Sequence, residues 1–325
     1  MGILTTISAR VRAPGGRIEL RNLFPIILLF ILVLVFSLMS DRFLTQANLS
    51  IVLRQTVTLL VVALGMTFVI IAGSIDLSVG SMVALAALAA ASTSDELGIF
   101  AILPAALVGL VAGLINGVIF AKGKVPSFMV TLGTLVAYRG IVLYAMRGAP
   151  VSITDRDFIG FYAGPIGPGL PNAAIIAAVI AIIAFVILNF TVFGRQVRAI
   201  GGGERVARLT GIKVDRVKIM MFALLGLLCG IAGLLQSARN YAATAQLGEG
   251  LELDVIGAVV VGGTPLTGGV GSIQGTVIGA LVLTILSNGM NMLGVDPFLQ
   301  NIVRGVVLIA AVFVTIDRSK IGIIK

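Results

Sequence analysis

Residues 51–81 read IVLRQTVTLLVVALGMTFVIIAGSIDLSVGS, and how they are read decides the fold. From Ile51 to Gly73 the run carries a single charge, Arg54. A helix needs about 20 apolar residues to cross a hydrocarbon core, and this run is long enough. It shows no period-two alternation, so a membrane β-barrel strand is excluded. The run stops at Gly73-Ser74-Ile75-Asp76-Leu77-Ser78-Val79-Gly80-Ser81, which sets one carboxylate and three hydroxyls between two apolar stretches. A serine there can cap the helix that follows, and freed helix N–H groups can hold a polar ligand. The plainer reading is a capped loop with Asp76 merely solvated.

The rest of the chain repeats this theme. Hydrophobic residues make up 58% of 325 and charged residues 11%, against about 25% charged in an average soluble domain. The chain therefore faces lipid. The predicted architecture is all-α and polytopic, because only helices and closed barrels satisfy their backbone in a bilayer. Ten spans are expected, near 24–40, 51–73, 79–95, 99–121, 126–146, 172–192, 216–238, 251–265, 272–293 and 298–316. The third and eighth are short and rich in Ala or Gly, and read as broken or tilted. Segment 1–23 is expected as a cytoplasmic leader, 24–316 as one transmembrane domain and 317–325 as a cytoplasmic tail. No small-x-small cleavage site follows the first run, so it reads as a retained span. The match of Met1–Thr6 to a myristoylation pattern reads as chance.

The formal charge is +9, but its distribution encodes topology and does not point to nucleic acid. Placing the N-terminus inside puts sixteen Lys and Arg in inside segments and four outside, the bias of cytoplasmic termini and an even number of crossings. The 193–215 segment is then cytoplasmic and the Pro-rich 147–171 segment an outside cap. The chain has no His and one cysteine, Cys229, so no metal site is expected and a small buried residue is the reading for the thiol.

An internal echo suggests two inverted repeats five spans apart. Gly109, Gly113 and Gly117 are followed by Val125-Pro126-Ser127-Phe128, while Gly271, Gly275 and Gly279 are followed by Val295-Asp296-Pro297-Phe298. Acidic interruptions precede both, at Asp76 and at Glu249–Asp254. An odd offset would set the units in opposite orientations, as in inverted-repeat transporters. Glycine ladders are also common wherever membrane helices pack closely.

Two further segments carry chemistry. In 193–213, Gly201–Gly203 reads as a flexible entry, Glu204–Leu209 as a short helix and Gly211 as its stop. Such a layout suits docking to a partner, and no Gly-Lys-Ser/Thr follows to make a phosphate loop. In 248–272, Glu252 and Asp254 precede Gly262-Gly263-Thr264-Pro265-Leu266-Thr267-Gly268-Gly269, an irregular stretch tolerated at membrane depth only where it lines a cavity or a protein contact.

With these motifs in order over about 75–310, together with Arg139-Gly140, Gly194-Arg195 and Ala207-Arg208-Leu209, the chain resembles the ribose-type permease subunits of bacterial sugar ATP-binding-cassette importers. The resemblance implies an inner-membrane, multi-pass subunit, a second permease copy, a cytoplasmic ATPase and a periplasmic sugar-binding protein. It implies a monosaccharide substrate, no cofactor on this chain, no catalysis by it, and ATP with magnesium used by the partner. It places ATPase docking at Arg195, Gly201, Gly202, Glu204, Arg205, Ala207 and Arg208. Candidates for the translocation path are Asp76, Ser78, Asn116, Thr131, Asn288 and Asn291, with Ser74, Glu252, Asp254, Thr264 and Thr267 as helix-interrupting positions. Each polar candidate also has the plainer reading of a helix-packing hydrogen bond. The family pattern has Asn where Gly203 stands, so a capping side chain is lost. The rivals are an ion-coupled carrier using Asp76, Glu252 and Asp254, and a branched-chain amino-acid permease.

Overall fold

In the computed structural model the described residues are 20–167 and 169–315. The expected leader with Arg10, Arg12 and Arg17, and the tail with Arg318, Lys320 and Lys325, lie outside the described residues. The described chain is helical almost throughout: α1 Leu20–Met39, α2 Gln46–Ile71, α3 Val79–Leu97, α4 Ile102–Gly123, α5 Ser127–Met146, α6 Arg156–Ala163, α7 Asn172–Phe190, α8 Val192–Gly202, α9 Glu204–Leu209, α10 Val214–Asn240, α11 Leu251–Val261, α12 Ile273–Met292 and α13 Pro297–Thr315. Six stretches are long and apolar enough to cross a membrane, one of which, Val79–Gly123, holds both α3 and α4; Leu23–Met39 and Pro297–Phe313 are shorter apolar helices. The expected eighth span shrinks to the eleven residues of α11, because the glycines from Gly262 onward end it. The expected outside cap contains a short helix, α6, whose N-cap Asp155 accepts from Phe158 N at 2.8 Å.

Helices α2 and α10 form the centre. Val61 through Ile71 are almost entirely buried in α2, as are Met221, Phe222 and Leu225 in α10. Helix α10 packs on α3 and α4, while α2 packs on α11 and α12; α3 meets α4 and α5, and α11 meets α12 and α13. The glycine ladders set these approaches. A Cβ on Gly109 or Gly113 would run into the backbone of Gly226 and Phe222 in α10, and one on Gly275 or Gly279 would run into Ala258 in α11 and Gly262 just after it. Small residues are what let membrane helices come this close.

Candidate functional site

The interruption after α2 is a closed polar knot. Gly73 takes a positive φ of 75°, and the chain runs non-helically to Ser78. Asp76, fully buried, accepts at Oδ1 from Ser78 N at 2.8 Å and Ser78 Oγ at 2.6 Å, and at Oδ2 from Asn116 Nδ2 at 3.3 Å. Asn116 Nδ2 also donates to Ser78 Oγ at 2.8 Å, and Tyr138 Oη donates toward Asn116 Oδ1 at 3.2 Å and the Ala112 carbonyl at 3.0 Å. The interrupted backbone is satisfied from α5: Ile75 N donates to Ser127 Oγ at 3.2 Å and Leu77 N to Thr131 Oγ1 at 3.1 Å. Asp76, Ser78, Asn116 and Thr131 therefore meet. Ser78 does not cap α3 with its own hydroxyl, which corrects the sequence reading. The Asp76 carboxylate takes the Ser78 N–H instead, and so Asp76 is not a merely solvated residue. Ser74 lies buried beside this knot.

A second non-helical stretch, 241–250, precedes α11. Val151–Ser152 pairs antiparallel with Ala242–Ala243, and Arg139 NH1 donates to the carbonyls of Ala245 and Leu247, the latter at 2.9 Å. Arg139 stands well inside α5, where a cation is costly unless carbonyls or a cavity receive it. Backbone carbonyls of the turns at Ala245 and Leu247 do so here. The two interruptions touch: Gly80 and Gly248 pack backbone to backbone with no room for a Cβ on either. Glu252 is half-buried in the first turn of α11, Thr264 is buried in the loop after it, and Thr267 is exposed.

The cavities lie away from the Asp76 knot, and the second of them reaches the end of the 241–250 stretch at Glu249 and Gly250. One of about 340 Å³ is walled by five helices, with Gln55 and Thr58 from α2, Gln236 and Arg239 from α10, Asp254 from α11, Thr284, Ser287 and Asn291 from α12, and Arg304 from α13. A second, of about 430 Å³, shares Asp254, Leu283 and Arg304 with it. Arg304 and Asp254 form an ion pair at 3.7 Å. Of the predicted positions, Asn291 and Asp254 line this space. Asn288 does not: it exchanges two hydrogen bonds, at 3.0 and 3.1 Å, with buried Asn48 of α2. Sequence reasoning missed Gln55, Gln236, Arg239 and Arg304 as site residues. The available signal was an amide or guanidinium inside an apolar run, rather than a glycine-rich motif. Among the described residues no three His, Cys, Asp or Glu side chains gather as metal ligands would.

The 193–215 segment is tied to the core through the end of α8 and through ion pairs to α10. Gly201 and Gly202 end α8 and are not a flexible entry: Gly201 packs against the Ile71 carbonyl and Gly269 with no space for a side chain. Gly269 N donates to Ile71 O at 2.8 Å. Helix α9 spans Glu204–Leu209, as expected, with Gly203 as an N-cap that supplies no side-chain bond. Glu204 bonds Lys218 Nζ at 2.8 Å and Arg208 at 3.2 Å, and Arg208 bonds Asp215 at 2.8 Å. Lys218 also lies 4.4 Å from the Phe120 ring centroid. Partial burial pushes the Glu204 carboxyl up, but the hydrogen bonds and charges of Lys218 and Arg208 outweigh it and hold it below its ordinary value. Ala207 is buried on the inner face of α9, whereas Val206 and Leu209 are 65% and 81% exposed. Arg195, Arg205 and Arg208 are exposed too.

The described residues form a bundle of helices long and apolar enough to cross a membrane, with interrupted segments and two cavities between them. The chain belongs to the family described as branched-chain amino acid transport system / permease component, whose profile matches residues 48–312. It is 41% identical to the ribose import permease protein of Escherichia coli K12 over 91% of this chain and 93% of that one. It is 42% identical to the ribose import permease protein of Bacillus subtilis 168 over 98% of each, and 35% identical to the xylose transport system permease protein of Haemophilus influenzae over 93% and 98%. No solved structure matches the chain.

Proposed function

We propose that this chain is the membrane-spanning subunit of an ATP-driven monosaccharide importer, with a ribose-like pentose or hexose as cargo. The observation that carries the reading is 41–42% identity to ribose permeases over more than nine-tenths of both chains. The chain has no nucleotide motif, so uphill transport draws its energy from a partner ATPase, and a periplasmic binding protein delivers the sugar to a dimer of permeases. Helix α9 is the docking surface. Its exposed Val206 and Leu209 meet the ATPase, and the Glu204–Lys218 and Arg208–Asp215 pairs pass the push to α10. The stacking of Gly201 on Ile71 and Gly269 relays the same push to α2 and the loop after α11.

The packing supports a duplicated fold. Exchanging α2, α3, α4 and α5 for α10, α11, α12 and α13 carries the contacts of one half onto those of the other. Each half interrupts its chain before its second helix and approaches its neighbours through glycine. Both termini and α8–α9 are placed in the cytoplasm, where the charge bias sets them. An ion-coupled carrier is disfavoured because Asp76 is sealed by its own hydrogen bonds and Asp254 faces Arg304. Co-purification with the binding protein of the same operon, and identification of the sugar it holds, tests the reading. An amino acid in that protein would overturn it.

A further inference from the structure

Four backbone groups in the two interruptions have side chains of α5 as their only hydrogen-bond partners among the described residues. In the first interruption, Ile75 N and Leu77 N donate to Ser127 Oγ and Thr131 Oγ1 at 3.2 and 3.1 Å. In the second, the carbonyls of Ala245 and Leu247 accept from Arg139 NH1, and no other donor reaches either. Both residues are buried, and a buried carbonyl without a donor is unfavourable. Arg139 forms no ion pair among the described residues, so these carbonyls receive its charge. The apolar hold on α5 is thin beside this. The helix packs chiefly on α3 and α4. Phe128, Leu132, Val136 and Tyr144 are exposed, and a Cβ on Gly133 or Gly140 would meet nothing within 4 Å. Polar bonds to the interruptions, more than side-chain packing, fix where α5 sits.

Resting on the importer reading above, we infer that α5 is a clamp across the seam where the two interruptions meet at Gly80 and Gly248, with Arg139 as the positioning residue that holds the 241–250 stretch shut. Withdrawing α5 strips four backbone groups of their partners. The clamp therefore stays closed at rest and opens only against an energy input, which the partner ATPase supplies. The stretch it releases is free to swing. Gly248 and Gly250 take φ of 78° and 76°, where glycine bends without the penalty a side chain meets. Besides Arg139 and the Gly80 contact, the stretch is tied down by the short antiparallel pairing of Ala242–Ala243 with Val151–Ser152. Its end, at Glu249 and Gly250, borders the 430 Å³ cavity, so opening the clamp changes access to that space.

The test uses the full importer in proteoliposomes, with Ala245→Cys on a Cys229→Ala background. The rate of methanethiosulfonate modification is measured without nucleotide and again with ATP and vanadate trapping the complex. The clamp predicts slow modification without nucleotide and a several-fold faster rate in the trapped state. Arg139→Leu should be fast in both states and should move several-fold less sugar per ATP. Arg139→Lys, which keeps a donor for the carbonyls, should restore the slow rate and the difference between states. A side chain that only stabilises the fold would not make the rate depend on nucleotide. Equal rates in the two states of the parent, or an Arg139→Leu protein that keeps both the slow rate and the difference, would overturn the clamp. Should Arg139→Leu not assemble, Arg139→Gln takes its place with the same expected loss. The importer reading fails separately, if the parent complex accumulates neither D-ribose nor D-xylose when supplied with ATP.

Discussion

Ser78 Oγ stands 2.6 Å from Asp76 Oδ1, both side chains fully buried, and the same carboxylate oxygen takes the Ser78 backbone N–H at 2.8 Å. The pair fixes where α3 begins. An asparagine at 76 keeps the Oδ1 acceptor and loses only the weaker bond from Asn116, so Asp76→Asn costs about 1 kcal/mol and retains most uptake. Asp76→Leu strands two donors and costs about 3 kcal/mol or more. Thermal melts of detergent-solubilised protein, read beside uptake, check both. Loss of accumulation in a normally folded Asp76→Asn protein would revive the ion-coupled carrier.

The glycine ladder makes a sharp contrast on neighbouring helices. Gly113 has no room for a Cβ against Phe222 and Gly226, whereas Gly133 has nothing within 4 Å. Gly113→Leu forces backbones apart and should cost more than about 3 kcal/mol, read as loss of folded protein in membranes. Gly133→Ala should be neutral or stabilising by up to about 1 kcal/mol.

How far the sequence was legible follows from where each signal resides. Apolar length announced α2, α7, α10 and α12, and helix punctuation placed α9 at Glu204–Leu209 to the residue. Asp76 and Ser78 came into view as polar residues in an interruption, and Asn116 and Thr131 only as an amide and a hydroxyl inside apolar runs. What they do was not legible. Whether Asn116 lines a path or closes a knot depends on Tyr138, a partner on another helix. Asn288 illustrates the same limit, because its partner Asn48 is 240 residues away. The cavity residues Gln55, Gln236 and Arg304 converge from three helices, and no spacing along the chain records that.

Helix α9 offers a test of coupling. Val206→Asp with Leu209→Asp puts charge on an exposed apolar face without touching the Glu204–Lys218 pair, and should weaken ATPase co-purification by about tenfold or more. Lys218→Met removes a tether whose Glu204 end is 45% exposed, so its stability cost is below about 1 kcal/mol, and its effect is read as transport per ATP. The Glu204 carboxyl is lowered in the folded state. Its stabilisation is therefore fully present above the ordinary glutamate value and is lost only as pH falls through the lowered one. Coupling should be flat across neutral pH with respect to this group.

Orientation is checked by labelling intact cells. From a Cys229→Ala background, an impermeant thiol reagent should modify Gly160→Cys, on exposed α6, and spare Arg205→Cys, on exposed α9. The reverse pattern would place the docking surface outside the cell and end the ATPase assignment.

The central claim is that a partner's ATP, not an ion gradient, drives sugar through this chain. Proteoliposomes holding the permease, its ATPase and its binding protein, with no proton or sodium gradient, measure this directly as labelled D-ribose or D-xylose retained against its concentration gradient. The account predicts accumulation that requires ATP on the ATPase side and ceases when the ATPase or the binding protein is omitted. Accumulation by the permease alone under an imposed proton or sodium gradient would contradict it.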